Sequence, residues 1–281
     1  MVHYQLLTNY PLEKIHHCFV EAFSDYEVKI DLPYQVFLDM MNRRGLSPEL
    51  SMGAFDENNN LIGFVLNGKR EWEGKLTAYD LGTGVIPDYR KQGITSQLFT
   101  KVKEELTKVG IEQYLLEVIQ TNEKALKLYQ NSGFQITREF NCYLLETSEF
   151  QSKETLPVQK LDQLKLQDYS DWQEFPSSWQ NSSQSLEADK KNMSFYGAFE
   201  ENQLIGYGIV DNKGDIPQLA LHPEFREKNV AASILSAIIN DNSFEKLKML
   251  NVDDRDKELI ACLENNGFSL FVKQYEMILP L

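Results

Sequence analysis

The chain has 281 residues, 42% hydrophobic and 25% charged, with a formal net charge of −14 and a sequence pI near 4.8. That composition excludes a disordered chain, a collagen and a disulfide miniprotein, and the length predicts about two domains of ordinary size. Both halves are acidic and neither carries a basic block, which argues against nucleic acid and anionic membrane as partners; the acidity is read as a solubility device.

Apolar runs fall well short of the roughly 18 residues that cross a bilayer, and Met1–Leu7 has neither a basic start nor a long apolar stretch, so no secretory signal is read there. Cys18, Cys142 and Cys262 are odd in number, widely spaced and without a C-x-x-C pair. They are expected to be free thiols in a cytoplasmic protein.

In chain order, a strand is predicted over residues 3–8. A helix follows over 11–23, where Leu12, Ile15, Phe19 and Phe23 recur at helical spacing, and another over 34–44. His16-His17-Cys18 on the first helix lacks a metal-ligand spacing, and no metal site is expected. Strands are read near 50–56, 61–67 and 75–86. The longest helix runs over 92–109, with Ile94, Leu98, Val102, Leu106 and Val109 on one face and Gly110 as its stop. A strand over 113–120, a helix over 122–132 ended by Gly133, and one or two strands over 134–145 complete the series. Strands alternating with helices indicate an α/β or α+β layered fold.

The series then repeats. Gly53-Ala54-Phe55-Asp56-Glu57-Asn58 returns as Gly197-Ala198-Phe199-Glu200-Glu201-Asn202. Pro87-Asp88-Tyr89-Arg90 returns as Pro223-Glu224-Phe225-Arg226, and Asn131-Ser132-Gly133-Phe134 as Asn265-Asn266-Gly267-Phe268. Order is kept while the spacing shrinks, as two copies of one fold require. The boundary is placed in the polar stretch Thr147–Pro157, giving domains 1–147 and 155–281.

Two segments of the first copy could carry chemistry. Pro87 ends a strand, and the turn Arg90–Thr95 presents backbone N–H groups at the positive end of a helix, with Gly93 allowing close approach; such a turn suits a phosphate. In Leu116-Glu117-Val118 through Tyr129-Gln130-Asn131-Ser132-Gly133-Phe134, Asn122 and Tyr129 lie two helical turns apart on one face, about 10 Å along the axis. Ala125 leaves a groove between them. Glu117 alternates with Leu115 and Ile119 on a strand, an acid in an apolar register.

These two segments resemble the GNAT superfamily of N-acyltransferases. The loop Arg90-Lys91-Gln92-Gly93-Ile94-Thr95 is similar to its R/Q-x-x-G-x-G/A motif, with Thr95 in place of a smaller residue. The later block resembles the family's L-E-V-x-x-x-N-x-x-A-x-x-L-Y-x-x-x-G-F signature. The resemblance implies two GNAT-like domains, each a mixed, mostly antiparallel sheet flanked by helices. It implies acetyl-CoA as co-substrate, contacted by Arg90 and with its diphosphate held by amides around Lys91, Gln92, Gly93, Ile94, Thr95 and Ser96, and its arm beside Val85 and Pro87 and bonded by Asn122. It further implies Glu117 as base, Tyr129 as acid at the sulfur and the Val85 N–H as oxyanion donor. Asp80, Glu71 and Glu73 are alternative bases.

The expected function is transfer of an acetyl group to a primary amine, on a small molecule or a protein; the alternative is a non-enzymatic acyl-CoA sensor. The second copy has Leu263 where Tyr129 stands, Asp256 for Asn122, Asn251 for Glu117 and Asn229 for Gly93. It is therefore expected to be catalytically silent. Trp172 and Trp179, in a Pro/Ser-rich stretch, are expected to pack, with a cleft cover as the other reading. Acceptor and oligomeric state are left open.

Overall fold

The computed structural model describes residues 1–25, 32–151, 156–226 and 228–281. They form two compact units, Met1–Thr137 with Glu276–Leu281, and Arg138–Tyr275.

The first unit runs β1 (His3–Leu6), α1 (Leu12–Ala22), α2 (Tyr34–Arg44), β2 (Met52–Phe55), β3 (Leu61–Trp72), β4 (Lys75–Val85), α3 (Ile94–Lys108), β5 (Gln113–Ile119), α4 (Glu123–Asn131) and the first residues of β6 (Gln135–Glu146). β1 to β4 form an antiparallel series, and β5 joins β4 in parallel. The first eight residues of β3 are all buried, as a strand covered on both faces must be. Phe64 of β3 stacks on Phe19 of α1, 5.5 Å between rings. α3 supplies its own buried stripe of Leu98, Phe99, Val102 and Leu106, of which Leu98, Val102 and Leu106 were read from periodicity, whereas Val109, read with them, is exposed. Glu73 (φ 50°) and Gly74 (φ 75°) make the two-residue turn between β3 and β4, a primed turn whose twist suits a hairpin. His16, whose Nε2 lies 2.7 Å from the Leu32 carbonyl, is packed against Tyr34 and Phe37.

The second unit takes the rest of β6, then β7 (Val158–Leu161), α5 (Ser183–Ala188), β8 (Met193–Glu200), β9 (Gln203–Asp211), β10 (Gln218–Leu221), α6 (Val230–Asp241), β11 (Lys246–Asp253), α7 (Lys257–Asn265) and β12 (Ser269–Pro280) up to Tyr275. One sheet has the order β10-β9-β8-β7. β11 pairs antiparallel with β6, Lys246 opposite Glu146 and Asp253 opposite Phe140. Trp179 is fully buried, and Trp172 is buried against Tyr207.

The packing divides the chain differently from the sequence boundary at 147–155. The ladder with β11 draws residues 138–146 into the second unit. Residues 276–281 take the corresponding place in the first, where the Leu281 N–H donates to the Glu112 carbonyl at 3.0 Å and Thr137 Oγ1 donates to Glu276 Oε1 at 2.9 Å. Each unit thus contains part of β6 and part of β12, an arrangement invisible to a repeat read by motif order.

Candidate functional site

β4 and β5 pair only at Thr77–Gln113, Ala78–Tyr114 and Tyr79–Leu115, and no further pairing joins them toward Val85 and Ile119. On the other side of β4, the Ile86 N–H bonds the Ile62 carbonyl at 3.0 Å. Antiparallel alternation then turns the N–H and C=O of Val85 away from β3 and toward the gap beside β5. The Val85 carbonyl accepts from Arg90 Nε at 3.0 Å.

The chain leaves this strand at Pro87, makes one 3-10 turn, Pro87–Tyr89, and enters α3. Lys91 (φ 62°) and Gly93 (φ 76°) are both left-handed. A Cβ on Gly93 would meet nothing within 4 Å, so the glycine serves its backbone angle and not a tight neighbour. No side chain caps the helix. Gln97 is bonded to the Gly93 carbonyl at 3.1 Å, and the amides of Ile94, Thr95 and Ser96 precede the first regular helical bond. Lys91, Gln92, Gly93 and Ser96 are exposed, Thr95 half-buried and Ile94 buried. The open turn and uncapped amides fit an anionic phosphate group.

Arg90 has a different place from its neighbours. Its guanidinium pairs with Asp25 at 2.6 and 2.8 Å and donates to the Ala22 carbonyl at 2.8 Å. The side chain ties the turn to the end of α1, and the carboxyl of Asp25 is held below its usual range chiefly by that hydrogen bond.

On the other wall, Glu117 is half-buried on β5 with its Oε1 shielded from solvent. The hydroxyl of Tyr79, buried on β4, is hydrogen-bonded to the Glu117 carboxyl, and burial first and then the Glu117 charge push the Tyr79 phenol far above its normal range. Asn122 caps α4, its Oδ1 accepting from the Ala125 N–H at 3.2 Å. Tyr129 is half-buried, its ring edge-on to Phe99 (5.5 Å) and Phe134 (5.8 Å).

Asp80 stands at an irregularity of β4, where Leu66 faces Gly82 but Asn67 faces Asp80 and Leu81 is the extra residue. Its carboxylate accepts from the Gly82 N–H (2.9 Å) and Thr83 Oγ1 (2.8 Å), and burial raises its pKa to about 7. Glu71 and Glu73 lie at the exposed hairpin end of the same strand pair, with Glu71 opposite Leu76. At about 3.3 Å per residue they are about 30 Å from Val85. The hydrogen bond from Tyr79 was not read from sequence; period two, which puts Tyr79 on the face of Leu115 and Glu117, is the signal that could have found it.

The second copy repeats the framework with other groups. Asp256 caps α7 through the Leu259 N–H at 3.0 Å, as Asn122 caps α4. Leu263 is fully buried. Asn251 (φ 59°) sits at an irregularity of β11 and bonds Ser178 and Gln274. At the head of α6, Asn229 has φ −42° where Gly93 has 76°, and the Val230 N–H is bonded to the Lys228 carbonyl. Among the described residues no group of His, Cys, Asp and Glu gathers to hold a metal, and no helix is long and apolar enough to cross a membrane.

Residues 12–134 match the model of the acetyltransferase (GNAT) family, and residues 159–271 match an acetyltransferase (GNAT) domain. N-alpha-acetyltransferase MAK3 of Arabidopsis thaliana is 28% identical over 47% of this chain and 70% of its own length. Thialysine N-epsilon-acetyltransferase of Mus musculus is 32% identical over 35% of this chain and 55% of its own. A tandem GNAT protein from the clavulanic acid biosynthesis pathway has a similar fold, with TM-score 0.73 and 12% identity over 100% of this chain and 98% of that one. The GCN5-related N-acetyltransferase of Sphaerobacter thermophilus has TM-score 0.70 and 11% identity, covering 100% and 95%.

Proposed function

The chain belongs to the GNAT family of acetyltransferases and is an acyltransferase with two GNAT domains, and from that premise we propose that its first unit moves an acetyl group from acetyl-CoA directly to a primary amine. The observation that carries this reading is the parting of β4 and β5 beyond Tyr79, facing the uncapped left-handed turn at the head of α3.

Acetyl-CoA would supply the acyl group as a thioester. The amides of Gly93, Ile94, Thr95 and Ser96 would hold its diphosphate, with Lys91 and Gln92 beside them on the open side of the turn. Arg90 contributes by fixing that turn to α1. Val85 and Pro87 would border the arm, and the Val85 N–H, turned into the gap, would donate to the acyl oxygen as it gains charge. Asn122 has its Oδ1 committed to the helix cap, which leaves its amide NH2 for the arm.

An amine attacks only when unprotonated, so a carboxylate must take its proton. Glu117 suits this role, since the Tyr79 hydroxyl fixes one shielded carboxylate at the mouth of the gap. Tyr129 would return a proton to the leaving thiolate. Asp80 is a second candidate base, favoured by a pKa of about 7, which is matched to proton transfer near neutrality. The acceptor is an amine of the kind acted on by the relatives named above, a protein N-terminus or a side-chain or small-molecule amine. The second unit, lacking Tyr129, Glu117 and the glycine turn at the matching positions, would not turn over.

The test is thiol release from acetyl-CoA with a panel of amines and short peptides, in wild type, Tyr129→Phe and Glu117→Gln. Amine-dependent release that collapses in both variants is expected. Release that survives both would overturn the site assignment, and none with any amine would overturn the transfer reading.

A further inference from the structure

The second unit contains a cavity of about 730 Å³, within the range of about 300–1,000 Å³ usual for ligand sites. It lies between β10 and β11, which are joined only by the Asp215–Lys248 bridge; Gln218–Leu221 line one wall and Met249–Asp253 the other.

Three observations define what it would hold. The first is an open strand edge. β10 ends its sheet, and the His222 N–H bonds the Ile205 carbonyl of β9 at 2.9 Å. With Gln218 opposite Ile209 in the same register, alternation turns the N–H and C=O groups of Leu219 and Leu221 toward the cavity. Such an edge is a template for an extended chain that carries amides of its own.

The second is the loss of an anion site. The Val230 N–H is taken by the Lys228 carbonyl, and Asn229, at the position of Gly93, has φ −42° in place of the left-handed angle. The nearby basic side chains are engaged, Arg226 by Glu258 and Lys228 by Glu200.

The third is charge. Asp253 is matched by Arg255 and Arg138, whereas Glu174 and Asp256 line the cavity as neighbouring acids. Burial chiefly, and then the charges of Glu174 and Glu258, raise the Asp256 carboxyl, against the helix-cap hydrogen bond from Leu259 and the charge of Arg226. The inner wall, by contrast, is polar and internally bonded: Gln218 Nε2 donates to the Asn181 carbonyl at 2.7 Å, and Asn251 Nδ2 to Ser178 Oγ at 3.2 Å.

We propose that this cavity binds a short extended peptide, paired through its backbone to Leu219 and Leu221, with an ammonium group set against Glu174 and Asp256. The site stands apart from acyl transfer in the first unit and does not depend on it.

The probe is the tetrapeptide amide Lys-Leu-Ala-Leu, titrated by calorimetry into the full chain with no acyl donor present. Binding is expected that weakens at least tenfold in the double variant Glu174→Gln/Asp256→Asn, in which Asn keeps the cap on α7, with a thermal melt to show that the variant is folded. N-methylation of alternate backbone amides of the probe is expected to weaken it equally, and coenzyme A is expected not to displace it. Absence of binding, binding indifferent to the double variant or to N-methylation, or displacement by coenzyme A would overturn the proposal.

Discussion

Tyr129 and Asp80 show how single atoms separate packing from chemistry. The ring of Tyr129 is held by Phe99 and Phe134, so Tyr129→Phe leaves that packing and removes only the hydroxyl. We expect kcat to fall about 10²–10⁴-fold, the usual worth of a positioned acid or base, with an unchanged melting temperature. Asp80 has a folded pKa of about 7 against 3.8 for the free side chain. The folded protein therefore holds this proton more tightly than the unfolded chain. Stability should fall as pH rises from about 4 to 7 and level off above, and Asp80→Asn should abolish that slope in urea titrations across the range. If Asp80 is the base, activity should rise through about pH 7 in the wild type and Asp80→Asn should lose it; if Glu117 is the base, Asp80→Asn should keep most of its activity. At Gly93, φ is 76°, a conformation that costs a residue with a Cβ about 1–2 kcal/mol. Gly93→Ala should raise KM for acetyl-CoA about tenfold by initial rates, with a smaller effect on kcat.

At the scale of elements, periodicity carried most of what could be read. The helical spacing of Leu98, Val102 and Leu106 marks α3, and Gly133 closes α4 because each signal is local and the core faces agree with it. The placing of Glu117 on a strand face and Tyr129 on a helix face was legible from local geometry, whereas their roles rest on the family resemblance. The irregularity at Leu81 was not, since a bulge answers to the partner strand and leaves no pattern in its own. Arg90 was read as a cofactor contact because its partners, Asp25 and Ala22, are more than sixty residues away in sequence. Close approach is similarly hidden: a Cβ on Gly68 would meet the Arg44 carbonyl at 2.6 Å and that of Gly45 at 3.0 Å. Gly68→Ala should destabilise the chain by about 1–3 kcal/mol, measured by denaturant midpoint.

Across the whole molecule, the repeat announced two related units, but their membership follows strand pairing over more than a hundred residues, which motif order does not encode. Residues 276–281 belong with Met1–Thr137. A chain ending at Tyr275 should therefore lose hydrogen-exchange protection along β5 while β8 and β9 keep theirs, and mass spectrometry of the exchanged peptides would resolve the two.

The same membership bears on how the protein comes into being. At the roughly 5–20 residues per second of the ribosome, the segment that completes the N-terminal unit is synthesised on the order of ten seconds after Thr137. During that interval the nascent N-terminal portion exposes an unfinished sheet margin at β5, so the unit made first is the one that must wait, and a chaperone acting on this polypeptide would have its longest task there.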